Sequence, residues 1–206
     1  MAATEALERL ANQIRSCQRC PLGGLRTHAV PGEGPADADI LLIGEAPGYH
    51  EDRQGRPFVG ASGRLLEKLL AQIHLTRSDV YITNVIKCRP PANRDPMPAE
   101  IEACEPWLQQ LIELIDPLVI VTLGRFSMAQ FFPSSARITR VHGQPLYQAD
   151  RAIIPMFHPA AALRNPNWLQ DMEADFAQIP HLLETVRALR AARIQEKSGP
   201  EQLSLF

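Results

Sequence analysis

Four cysteines, at positions 17, 20, 88 and 104, are the residues whose type and spacing most clearly suggest chemistry. Cys17 and Cys20 form a C-x-x-C pair, and fifteen residues separate Cys88 from Cys104. In a reducing compartment such thiols favour metal ligation over disulfides, and the spacing alone admits either zinc or a 4Fe–4S cluster. Four more residues carry reactive or recognising groups. His158 ends an apolar run in MFHPA and can donate a hydrogen bond or a proton. Asn84 closes YITN, and its amide offers a donor and an acceptor side by side. Glu45, in GEAPG, can orient water, and Phe58, in GRPFVG, offers a flat stacking face. Both lie in GEAPGYHEDRQGRPFVG, where glycine lets backbone amides approach a ligand and proline stiffens the turns. No GK[ST] follows and no GxGxxG spacing is present, which argues against a phosphate-hydrolysing site.

Positioning these groups is the task of an alternating chain. Residues 4–16 have helical apolar spacing. Four short, apolar, β-branched-rich runs then follow at Ile40–Ile43, Val80–Ile86, Leu118–Leu123 and Ala152–Phe157, as expected for strands covered on both faces. Helical stretches lie between them at Gly63–Ile73, Pro98–Ile115 and Arg125–Phe131, and an extra edge strand is expected at Val141–Leu146. A final amphipathic stretch, Trp168–Ile194, should break at Pro180. The alternation predicts a single α/β/α sandwich domain around a central, mainly parallel four-stranded sheet. In such a sheet the carboxyl ends share one edge, where ligands bind, so Glu45, Asn84, Gly124 and His158 are expected to converge.

A net charge of −2 and a pI near 6.3 exclude wrapping of nucleic acid by a uniform positive field, though not a local basic groove. Arg53, Arg56, Arg64, Lys87, Arg89, Arg94, Arg140 and Arg164 fall in or beside the strand-end loops. No apolar run approaches a membrane span, and the first residues lack the apolar centre of a secretory signal, so a cytoplasmic protein is expected, and a monomer.

GEAPG…ED…GRPFVG…GRLL, TNVIKCRPPANRDP, CEPWL, LGR and MFHPAAALRNP occur together and in order. Over roughly residues 10–190 the chain resembles the family 4 uracil-DNA glycosylases, iron–sulfur members of the uracil-DNA glycosylase superfamily. The resemblance implies that uracil is flipped out of single- or double-stranded DNA and its N-glycosidic bond hydrolysed, starting base excision repair. It implies a structural 4Fe–4S cluster on Cys17, Cys20, Cys88 and Cys104. It places Glu45 and Ala46 beside the base with a positioned water, and Glu51 where the methyl of thymine would be crowded. Phe58 stacks on uracil, Asn84 reads its polar edge and His158 faces O2. Arg89 would grip DNA. Ala162 stands where relatives often carry leucine, which leaves Leu163 and Arg164 as the duplex wedge. A uracil-DNA binder on the same fold, non-catalytic or crosslinking, is the alternative. Having both Asn84 and His158 argues against the first. Ala46 in GEAPG, with no histidine-bearing insertion after strand two, argues against the second. His142 replaces a frequent arginine.

The chain is expected to divide into a catalytic domain, 1–195, and a tail, 196–206. Gln202, Leu203, Leu205 and Phe206 of QLSLF resemble the pentapeptide with which bacterial repair proteins dock on the sliding clamp.

Overall fold

The computed structural model describes residues 2–148 and 150–198. The elements, in chain order, are α1 (Ala2–Arg15), β1 (Ile40–Gly44), α2 (Tyr49–Gln54), α3 (Ala61–Gln72), β2 (Tyr81–Asn84), α4 (Pro98–Ile115), β3 (Val119–Leu123), α5 (Arg125–Met128), α6 (Ile138–Val141), β4 (Leu146–Gln148), β5 (Arg151–Met156), α7 (Pro159–Ala162), α8 (Pro166–Phe176) and α9 (Ile179–Ser198). The strands pair in the order β2-β1-β3-β5-β4. The first four are parallel, and β4 runs antiparallel to β5 at the edge.

Strand periodicity explains the layers. Along β1, Ile40 and Leu42 join the core formed with α3, α8 and α9, whereas Leu41 and Ile43 join the core formed with α1 and α4. Successive side chains point to opposite faces, so a strand buried on both must be apolar throughout. The helical breaks follow proline: Pro98 and Pro166 open α4 and α8, and Pro180 falls in the first turn of α9.

Two expectations need correction. The sheet has five strands rather than four, and the edge strand is Leu146–Gln148, not Val141–Leu146. Val141 ends α6 and Gly143 turns the chain at φ +68°; apart from one bond from its N–H to the Pro155 carbonyl at 2.9 Å, the ladder with β5 starts at Leu146. Helix α9 continues to Ser198, past residue 195, and the QLSLF segment lies outside the described residues. No helix among the described residues is long and apolar enough to cross a membrane.

Candidate active site

Three of the four parallel strands, β1, β2 and β5, deliver their carboxyl ends to one cleft of about 670 Å³, whose walls include Glu45, Ala46, Glu51, Phe58, Asn84, His158 and Arg164. Gly124, at the end of β3, does not line it but lies against Glu45. The expected convergence is therefore observed for Glu45, Asn84 and His158, which lie on three different strand ends. Pairing continues past β2, where Val85 and Ile86 donate to the carbonyls of Gly44 and Glu45 (2.9 and 3.2 Å), fixing Asn84 relative to Glu45.

Phe58 sits at the floor in a costly backbone conformation, φ +51°, in the left-handed region that a bulky residue rarely enters. Two glycines make room for it. A Cβ on Gly44 would stand 2.3 Å from Asn84 Oδ1 and 2.6 Å from the Phe58 ring, and one on Gly63 would stand 1.8 Å from the Phe58 carbonyl oxygen. The Phe58 and His158 rings stack with centroids 5.9 Å apart. Asn84 is almost fully buried, and its amide has no hydrogen-bond partner among the described residues; only a residue without a Cβ at position 44 leaves space for it.

His158 caps α7, its Nδ1 accepting from the Ala160 N–H at 3.1 Å. Desolvation, aided by the nearby Arg164 charge, pulls its pKa down to about 4. The ring is thus neutral near pH 7, and the bond at Nδ1 leaves the proton on Nε2, a donor. Glu45 is desolvated, which raises its pKa, while the Phe126 N–H (3.2 Å) and Arg125 pull in the opposite direction. Gly124, at φ +100°, admits it: a Cβ there would lie 2.3 Å from Glu45 Oε1. Glu51 is held in place, with Oε1 accepting from Val59 and Gly60 (both 2.9 Å) and Oε2 from Gly48 (3.1 Å).

The cations divide sharply. Lys87 is fully buried, donating to Thr83 Oγ1 and the Asn84 carbonyl (2.7 and 2.6 Å), so it cannot meet a phosphate. Arg56 is tied to Glu33 and Arg94 to Glu100. Arg89 is held at the rim, donating to Asn93 at 2.7 Å with its guanidinium 5.2 Å from the Tyr49 ring. Exposed Arg164 pairs with no carboxylate among the described residues and follows Leu163, which is 51% exposed while Ala162 is buried. Leu163, not Ala162, is therefore the residue free to meet a duplex.

The four cysteines line a second, largely apolar cavity, together with Ile14, Lys87 and Trp107. Hydrogen-bond donors point at three of the sulfurs: Arg26 to Cys88 at 3.0 Å, Trp107 and the Arg19 N–H to Cys17 at 3.3 and 3.5 Å, and the Lys87 N–H to Cys104 at 3.3 Å. No three His, Cys, Asp or Glu side chains among the described residues close on a single ion.

Three positions that the motifs did not reveal connect these parts. Asp52, buried, accepts from the Thr27 N–H at 2.9 Å and its carbonyl meets His28 Nδ1 at 3.0 Å, joining the loop after the C-x-x-C pair to α2. Asp175 pairs with His142 at 2.9 Å, and the His142 ring packs 4.6 Å from Phe157, next to His158. Arg77 reaches the backbone of the Phe58 loop. The acidic pair in HED is the only local signal for Asp52; nothing in sequence marks the others, because their partners lie tens of residues away.

The family description Uracil DNA glycosylase superfamily matches residues 31–189. A protein of Sulfurisphaera tokodaii named Type-4 uracil-DNA glycosylase is 47% identical over 190 residues, 88% of this chain and 86% of its own. Similarly named proteins of Archaeoglobus fulgidus and Saccharolobus solfataricus are 46% and 45% identical, over 86% and 87% of this chain and 94% and 87% of theirs. The matched span contains the strand-end loops that build the cleft, and on these grounds the chain belongs to the uracil-DNA glycosylase superfamily and, within it, to the type-4 uracil-DNA glycosylases.

Proposed function

We propose that this uracil-DNA glycosylase holds a flipped uracil against Phe58, reads it with Asn84 and drives its departure through the Nε2–H of His158. The observation that carries this assignment is the bond from the Ala160 N–H to His158 Nδ1, which leaves a neutral donor on the other ring nitrogen inside the shared cleft. Taking the base out of the stack costs a few kcal/mol, and stacking on an aromatic ring returns about 1–3 kcal/mol. Uracil presents N3–H and O4, which the Asn84 carbonyl and NH₂ match. As the C1′–N1 bond breaks, the bonding electrons leave with the base and negative charge gathers on O2. A fixed donor there favours the transition state over the ground state. Water then bonds to C1′ of the oxocarbenium-like sugar, with Glu45 as its orienting carboxylate and proton acceptor. Thymine is refused by Glu51, because three backbone donors hold its carboxylate so that it cannot swing aside for a methyl group.

In the same reading Cys17, Cys20, Cys88 and Cys104 hold a 4Fe–4S cluster. All four thiols surround one apolar cavity, and the N–H groups aimed at sulfur suit thiolates. When bound, the cluster would supply a structural crosslink between the N-terminal loop, the segment after β2 and α4. Arg89 and Arg164 would contact phosphates, with Leu163 as the wedge. The residues past α9, 199–206, would form a tether whose Gln202, Leu203, Leu205 and Phe206 dock on a sliding clamp, raising the enzyme's effective concentration on DNA. The deciding assay is release of free uracil under single-turnover conditions from single-stranded, U:G and U:A oligonucleotides, with iron and sulfide analysis of the same preparation. Wild-type rates in His158→Ala would overturn the assignment of the donor.

A further inference from the structure

We propose that Arg77 is a positioning residue for catalysis, holding the ring of Phe58 in the cleft by clasping the backbone on either side of that residue's α-carbon. The inference rests on the stacking role given to Phe58 above.

Phe58 does not adopt its φ of +51° through intrinsic preference, since a bulky side chain in that region costs about 1–3 kcal/mol unless its surroundings over-determine it. The surroundings do so from both directions. Arg77 Nη1 donates to the Phe58 carbonyl at 2.8 Å and Nη2 to the Pro57 carbonyl at 2.7 Å. On the following residues, Glu51 accepts from the Val59 and Gly60 N–H groups. Three consecutive peptide groups around the ring, 57–58, 58–59 and 59–60, are thus held by two side chains of opposite charge. The guanidinium can do this because its donors are arranged in a rigid fork; a lysine ammonium is a single point charge.

Arg77 is itself anchored to the strand that carries Asn84. Its Nε donates to Glu33 at 3.0 Å, and Glu33 exchanges backbone hydrogen bonds with Ile82 of β2 at 3.0 and 2.8 Å. Arg77 also lies 3.5 Å from Glu67 on α3, and its side chain is only 18% exposed. The stacking ring and the base-reading amide therefore share one reference, β2, although 25 residues separate them in sequence. A clasp that served folding alone would have no need of the strained Phe58 conformation; this one enforces it.

A double-mutant cycle with Phe58 tests the proposal by single-turnover uracil excision, alongside thermal melting and binding to uracil-free DNA. Arg77→Ala is expected to lower the excision rate about 10–100-fold, the loss that release of such strain permits. On a Phe58→Ala background the same change should cost less than about twofold, while uracil-free DNA binds equally well throughout. Arg77→Lys, which keeps the charge beside Glu33 and Glu67 but not the fork, should lose roughly 3–10-fold and serves where the alanine variant fails to fold. Equal fold-losses on both backgrounds, or a wild-type rate in Arg77→Lys, would overturn the role of Arg77 while leaving Phe58 as the stacking ring. A wild-type rate in Phe58→Ala would instead overturn the stacking role, and this proposal with it.

Discussion

Asn84 and Cys88 lie four residues apart on the segment leaving β2, yet they serve opposite environments. Asn84 faces a broad cleft with polar and apolar walls, where, among the described residues, one nitrogen of His158 is unengaged and the amide itself has no partner. Cys88 faces a tight, mostly apolar cavity in which the polar groups present, from Arg26, Trp107 and the Lys87 backbone, are spent on sulfur. Lys87 stands between them, fully buried, its ammonium tied to β2 and its N–H to Cys104. The contrast separates two design problems. A ligand that must arrive and leave needs unsatisfied, aimed groups, at some expense in stability. A group that must stay needs enclosure and a full complement of donors, and returns its binding free energy to the fold.

Substitutions on the two sides should fail in different ways. The largest effect is expected for Asn84→Asp, which replaces the NH₂ that donates to uracil O4 with an oxygen. In a site built to hydrogen-bond its substrate, losing the match costs about 10,000-fold. Uracil excision should fall by about that factor with the melting temperature and iron content unchanged. A fall in either would mean that the cleft and the cysteine cavity are not separable.

Cys104→Ala is the converse. Loss of a metal belongs among the few single changes that cost more than about 4 kcal/mol, which at this chain length lowers the melting temperature by roughly 10 °C. Iron should be lost, and the molecules that remain folded should keep most of their excision rate. A colourless variant with wild-type stability would leave the cavity without a structural role.

His158→Ala comes next, at about 100–1,000-fold in the single-turnover rate with binding preserved. Its acid behaviour follows from the pKa near 4. The native histidine binds fewer protons than the unfolded one, whose pKa is about 6.5, so its contribution to stability is complete above that value and is lost as pH falls toward 4. Its donor form persists through the same window. The acid limb of the excision rate should therefore belong to Glu45, whose pKa burial raises, and should vanish in Glu45→Gln. An acid limb that survives Glu45→Gln would remove that carboxylate from water activation.

Much of this division was legible in sequence, for physical reasons. The parallel sheet showed itself because strands buried on both faces cannot hide their polarity, and sheet topology then dictated that Glu45, Asn84 and His158 meet. The cysteines announced themselves by type. What stayed hidden is the support beneath: the Arg77 fork on Pro57 and Phe58, Asp52 beneath the cysteine loop, and Asp175 against His142. Each is an ordinary charged residue whose importance lies in which distant backbone it meets. The failed edge strand has a local cause, since Val141 carries strand-like chemistry but ends α6, and the chain then turns at Gly143, where a Cβ would stand 2.1 Å from Asp175 Oδ1.

The smallest expected effect concerns the cations at the cleft. Arg94 and Arg164 both line it, and by sequence both are cations of the strand-end loops, with Arg164 beside the expected wedge. The structure separates them. Arg94 donates twice to the nearly buried Glu100 carboxylate, at 2.9 and 2.6 Å, and so is committed to holding the loop before α4. Arg164 is exposed and has no carboxylate partner among the described residues, so its charge is available to a phosphate. Each phosphate neutralised by a cation releases condensed counterions, giving a slope of about −0.9 per contact in log K against log salt on duplex DNA. Arg164→Ala should therefore flatten that slope by about one and weaken binding a few-fold at low salt, with stability unchanged. Arg94→Ala should leave the slope within error and lower the melting temperature, because it strands Glu100 without its counter-charge. Titrations of uracil-free duplex at three or more salt concentrations distinguish the two. Equal slopes in Arg164→Ala and wild type would show that the exposed arginine does not touch the backbone.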